Sequence, residues 1–191
     1  MPAILLEPPA SEPLSLAEAK NFLRVEHAAD DALIGALIAA ARGAVEAATR
    51  RVCITQTWRI ALDRWPKSEH NRPARIVSPV NPLRALVAAR VLAADGTPSA
   101  LGTDAFTLNT VAVPGLIAFE RANVAEPGRA LAGIEFDVSV GYGEAASVPA
   151  PLVQAIRLLL ARAYEQRERV ADDKLPDDVA RLIAPFRVLS L

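Results

Sequence analysis

The residues that could do chemistry in this chain are few and scattered. Three carboxylate pairs, Asp30/Asp31, Asp172/Asp173 and Asp177/Asp178, have the side-chain type that general acid–base work needs. Each pair stands at a helix start or a turn, where aspartate caps the backbone for structural reasons. Cys53 is the single cysteine, and His27 and His70 are the two histidines that the fold could bring to it as an activating base. Cys53 falls at a helix-to-strand junction, where packing is the simpler role for a lone cysteine. Gly141-Tyr142-Gly143 invites a phosphate-loop reading. It lacks the lysine and Ser/Thr of a P-loop and the third glycine of a dinucleotide fingerprint. No serine sits in a Gly-x-Ser-x-Gly elbow. No cluster has zinc or iron spacing. The sequence therefore names no catalytic residue, no metal and no cofactor, and it points to a structural or binding protein rather than an enzyme.

Composition narrows the class further. With 191 residues, 52% of them hydrophobic and 23% charged, the chain has material for a real core. A net charge of -1 argues against a protein whose main task is to grip nucleic acid, which shows as a basic excess. One cysteine excludes an intrachain disulfide framework and fits a reducing compartment. Residues 1–14 lack a basic leader segment, and the apolar run 3–6 is far too short for a signal peptide. No window holds about 18 uninterrupted apolar residues, so no membrane is expected. The protein is read as cytosolic when made.

The elements follow from periodicity. Residues 30–51 read as one long amphipathic helix, with Leu33, Ile34, Leu37, Ile38, Ala41, Val45 and Ala48 on one face. Ser15-Leu16-Ala17-Glu18 is a capping box that starts a shorter helix burying Leu16, Ala19, Phe22 and Leu23. The two should form a helical hairpin. Before them, four prolines make residues 1–13 an extended arm. From Cys53 the period changes to two, and short strands alternate with Pro/Gly turns: 54–62, 75–77, 84–93, 105–109, 116–120 and 133–142. Asp95-Gly96 marks a hairpin. In the last strand Ile134, Phe136, Val138 and Val140 should point inward and Glu135, Asp137 and Ser139 outward. A helix returns after Val148-Pro149, with Leu152, Val153, Ile156, Leu159 and Leu160 on its apolar face. A short helix with Val179, Leu182 and Ile183 follows, stopped by Pro185. The expected fold class is α+β. It comprises an arm (1–13), a helical domain (14–52 plus 149–185), an inserted antiparallel β module (53–148) and a greasy tail (186–191).

In this order the segments resemble the head–tail connector (adaptor) family of tailed phages, including the adaptors of gene transfer agents. The matching pieces are residues 14–20 (LSLAEAK) with Phe22-Leu23-Arg24-Val25, then Asp30-Asp31-Ala32-Leu33-Ile34. Next come Ile54-Thr55-Gln56-Thr57-Trp58, Leu62-Asp63, Trp65-Pro66 and Val140-Gly141-Tyr142-Gly143. Val148-Pro149, Leu152, Ala155-Ile156, Tyr164-Glu165 and residues 182–187 (LIAPFR) complete the series. The resemblance implies a non-enzymatic virion protein at the head–tail junction of a phage or phage-like particle, assembled in the bacterial cytoplasm. Such proteins form a ring, commonly dodecameric, beneath the portal. The ring carries a tail-side connector or stopper and continues the channel for double-stranded DNA. Within that frame Phe186, Arg187, Val188, Leu189 and Leu191 are expected to dock on the portal and to be ordered only there. Ala36, Ala40, Gly43 and Ala47, off the greasy face of the long helix, are expected between neighbouring subunits. Two other classes remain open at this point. A small cytosolic enzyme would show a deep pocket with convergent polar groups. A DNA-packaging accessory factor would show a basic face.

Overall fold

A computed structural model describes residues 1–68, 72–166 and 174–188. The chain divides into two compact units, Ala10–Ile54 with Tyr142–Leu191, and Met1–Pro9 with Thr55–Gly141.

The helical unit grows from its caps. Helix α1 (Leu16–Leu23) begins with the reciprocal capping box: Glu18 N–H donates to Ser15 Oγ at 3.2 Å, and Ser15 N–H donates to Glu18 Oε2 at 2.9 Å. Arg24, left-handed at φ 58°, ends it earlier than the apolar pattern suggests. Helix α2 (Asp31–Thr49) buries Ile34, Ile38, Ala41, Val45 and Thr49. Helix α3 (Ala150–Glu165), with Pro151 in its first turn, buries Leu152, Ala155, Ile156 and Leu160. Helix α4 (Asp177–Ile183) adds Val179 and Ile183, and these side chains form one core with Leu14, Ala19, Cys53 and Ile54. Polar pins fix the register. Tyr164 Oη donates to Asp30 Oδ2 at 2.5 Å, joining the end of α3 to the start of α2. Arg42 on α2 holds Glu12 at 2.7 Å and Glu46 at 2.8 Å, and Glu46 accepts the Cys53 N–H at 2.8 Å.

Three expectations are corrected in this unit. Leu16 and Phe22 are exposed, because the short α1 lays only Ala19 fully into the core, and Leu33 is exposed because the buried stripe of α2 starts at Ile34. By length and composition α2 is apolar enough to cross a membrane, although no run of large apolar side chains marks it. Alanines raise its hydropathy, while its Ile and Val residues belong to the core shared with α3.

The β unit holds two antiparallel sheets. Its strands are β1 (Ala3–Glu7), β2 (Gln56–Leu62), β3 (Ala74–Val77), β4 (Leu83–Leu92), β5 (Pro98–Leu101), β6 (Phe106–Asn109), β7 (Leu116–Phe119) and β8 (Ile134–Val140). One sheet has the order β1-β2-β8-β4-β5 and the other β3-β7-β6. The proline-bounded start of the chain thus supplies an edge strand, with Ala3 opposite Ile60 and Leu5 opposite Trp58. The alanine-rich stretch expected as a strand over 84–93 is β4, joined to β5 through Gly96 at φ 89°. The core is aromatic: Trp65 meets Phe119 at 4.8 Å between ring centroids, and Phe106 meets Phe136 edge-on at 5.2 Å. Gly115 is required by close packing, since a Cβ there would stand 2.5 Å from Leu83 Cβ.

The outward face of β8 departs from simple alternation. Asp137 is on that face, yet only 7% of it is exposed. Arg59 of β2 donates to both its oxygens, at 2.7 and 3.0 Å, and Arg90 of β4 closes on it from the other side. Arg90 also bridges to Glu135 at 3.0 Å. Burial pushes the Asp137 carboxyl up, but the bonds and charges of Arg59 and Arg90 outweigh it and hold the group below the ordinary carboxylate range. A depressed carboxyl contributes stability that is present above its unfolded pKa near 4 and is lost as pH falls through the lower folded value. Asp137→Asn should cost about 2 kcal/mol at pH 7, read by urea unfolding. The variant should also lose less further stability than the parent between pH 5 and 2.

Candidate assembly surfaces

The titratable residues singled out in the sequence do not converge. Asp30 and Asp31 are separately engaged by Tyr164 and by Lys20, the latter at 2.6 Å. Asp178 pairs with Arg162 at 2.6 Å, and Asp177 stands beside it in the first turn of α4. Asp172, Asp173 and His70 lie outside the described residues. Cys53 is fully buried, and burial first, then the nearby Glu46 carboxylate, push its thiol up to about 12. His27 is exposed on the link between α1 and α2. Among the described residues no three His, Cys, Asp or Glu side chains are grouped as metal ligands would be. A shallow depression at the end of α1, lined by Ala17, Lys20, Asn21 and Arg24, opens to solvent. Gly141 and Gly143 have positive φ, and the Tyr142 N–H between them donates to Cys53 O at 3.1 Å, which makes this loop an internal fastening.

Two surfaces of the helical unit have a different character. On α2, Ala36, Ala40, Gly43 and Ala47 are all exposed. Their spacing of four, three and four residues aligns them as one stripe. Nothing lies within 4 Å of where a Gly43 Cβ would stand, so no contact within the chain demands this glycine.

The second surface is where the chain leaves α4. The 3-10 turn Ala184–Phe186 brings Phe186 against the helical core. Arg51, two residues past the end of α2, donates from Nε to Phe186 O at 2.5 Å and from Nη1 to Tyr142 Oη at 2.9 Å. Its guanidinium also lies over the Phe186 ring, 5.8 Å from the centroid. Val188 N–H then donates to Thr49 O at 3.0 Å, satisfying a carbonyl at the end of α2. Phe186 and Val188 thus have partners within their own chain, and Arg51 reaches Phe186 across 135 residues of sequence. Arg187 is exposed, and Leu189 and Leu191 lie outside the described residues. The sequence reading passed over Arg51, Thr49 and Tyr142 as anchors. The cation just beyond a long helix, together with the Phe-Arg of the tail, was the available signal.

Comparison with known proteins bears on what such surfaces are for. Residues 13–76 match the model of the phage gp6-like head-tail connector protein family. A search of curated proteins gives no match. Among solved structures, a chain from the neck of an empty gene transfer agent (GTA) particle, computed with C6 symmetry, superposes with a TM-score of 0.80 at 23% identity. It covers 100% of this chain and 97% of that one. A chain from the virion of a native GTA particle gives 0.78 at 25% identity, with the same coverage. One from the neck of a native GTA particle, computed with C12 symmetry, gives 0.71 at 26%, covering 98% of this chain and 97% of that one. Residues 13–76 are thus similar to the phage gp6-like head-tail connector family, and the chain as a whole has the fold of these chains from GTA particles.

Proposed function

We propose that this protein is a connector that acts as a ring of identical copies at the head–tail junction of a phage-like particle, without catalysis of its own. The observation that carries the reading is the whole-length likeness to chains from GTA necks computed with C6 and C12 symmetry. Twelve copies agree with both symmetries. The head side of the ring meets a portal, the tail side meets a further connector, and double-stranded DNA passes through the middle. A net charge of -1 suits that passage, because affinity for DNA comes from unpaired Lys and Arg at phosphates. Arg42, Arg59 and Arg90 are each engaged by carboxylates of the same chain.

In this reading the stripe Ala36, Ala40, Gly43 and Ala47 lies between subunits, where small side chains let a neighbouring element approach closely. Portal binding belongs to Arg187, Val188, Leu189 and Leu191, while Phe186 serves first as the internal anchor that aims them.

Three expected outcomes test these assignments. Ala40→Trp should leave the urea midpoint of the monomer almost unchanged while abolishing rings, read by native mass spectrometry and electron microscopy. Rings of normal size from that variant would remove the stripe from the interface. Gly43→Ala should stabilise the isolated subunit by about 0.5–1 kcal/mol, because Gly is a poor helix residue and its surroundings there are open. Removal of residues 187–191 should keep the fold and abolish co-purification with a portal, whereas Phe186→Ala should cost the subunit about 2 kcal/mol. Undiminished portal binding by the truncated chain would refute the tail assignment.

A further inference from the structure

Strand β1 differs from the other sheet edges. Edge strands leave a row of backbone N–H and C=O groups unpaired, and soluble proteins blunt them with charge, proline or a very short strand. At the edges of the three-stranded sheet, β3 exposes Arg75 beside Val77, and β6 exposes Thr107 and Asn109. The far edge of the five-stranded sheet, β5, begins with Pro98 and exposes Ser99 and Ala100. In β1, by contrast, Ile4, Leu5 and Leu6 are consecutive and are 55%, 42% and 39% exposed. Leu5 is opposite Trp58 and Ile4 opposite Arg59, so the apolar exposure extends to both faces of the sheet. The only charge on the strand is Glu7 at its end, where it accepts the Thr57 hydroxyl at 2.7 Å.

The topology indicates what covers this edge. Four antiparallel steps separate β1 from β5 in the order β1-β2-β8-β4-β5. An even number of reversals leaves the two outermost strands running in the same direction. A cyclic assembly requires a head-to-tail contact between two different patches of the same chain. The two edges of this sheet are such a pair: one bulky and apolar, the other small-residued. We infer that β1 of one copy adds to the β5 edge of the next copy as a parallel strand, so that the five-stranded sheets join into a continuous belt around the ring. The large side chains of Ile4, Leu5 and Leu6 then pack over the space left by Ser99 and Ala100. Backbone pairing supplies affinity and the large-on-small fit sets the order of copies.

This inference rests on the ring reading above, and the test separates the two. Ile4→Lys with Leu6→Lys puts charge on exposed positions, the usual device for blunting an edge. The full-length variant should fold as the parent does by circular dichroism and urea midpoint, and its association into rings should weaken at least tenfold by native mass spectrometry. A second variant, Ile4→Cys with Ala100→Cys, should give a ladder of covalent multimers with a short bis-maleimide under conditions where the parent forms rings. Each single cysteine should give none beyond dimers, since the native Cys53 is buried. Rings of normal stability from the lysine variant, or rings of the double-cysteine protein without a ladder, would overturn the belt and leave the connector reading standing. A parent protein that forms no ring, alone or with a portal, would overturn both.

Discussion

The helical unit depends on one constraint, the buried stripe of α2. Ile34, Ile38, Ala41 and Val45 are each exposed by 6% or less and meet the apolar faces of α3 and α4 across a single core. A helix with only one apolar stripe presents its remaining surface to something else. Here that surface divides into a charged strip and a small-residue strip. Arg42 and Glu46 on the charged strip fasten the incoming segment at Glu12 and the outgoing backbone at Cys53. The small-residue strip is left bare. The helix that fixes the core therefore also fixes where the chain enters, where it leaves, and which surface stays open to a neighbour.

How legible each part was in the sequence follows the range of the interaction that determines it. Helices α1 to α3 were readable because capping and 3.6-residue periodicity act over three to seven residues. Strand β8 was readable for the same reason, with a period of two. The outward direction of Asp137 was readable but its burial was not, because its partners, Arg59 and Arg90, are 78 and 47 residues away. Nothing local announces that β2 and β4 flank β8. The same limit hid the Arg51 clamp on Phe186. Strand β1 was read only as extended, because its prolines dominate the local pattern while its partner strand lies some fifty residues on. Trp65, just past the end of β2, is the hub of the aromatic core, with its indole N–H donating to Ala125 O at 2.8 Å, a partner 60 residues away.

The candidate chemical residues were legible as a class but not as individuals. Their types suggested caps and packing: Asp30, Asp31 and Asp178 each have a side-chain partner and Cys53 is buried, while His27 stands exposed. The thiol of Cys53 is held far from the pH at which it would be a nucleophile, because its pocket is apolar and the nearest carboxylate disfavours a second negative charge. The same low-dielectric setting makes the Glu46 bond to the Cys53 N–H effective as a strut.

Polar and apolar surface are distributed unevenly in this molecule, and the unevenness is itself informative. The four-membered network of Arg59, Asp137, Arg90 and Glu135 balances two cations against two anions on the outer face of the sheet. Such a face has little to offer a charged partner. The open surface is elsewhere: an apolar edge strand, and an exposed stripe of alanine and glycine on α2. One sits in each unit, and neither resembles a ligand pocket. Surfaces of this kind, a sheet edge and a strip of small residues, offer a partner shape and backbone hydrogen bonding rather than charge.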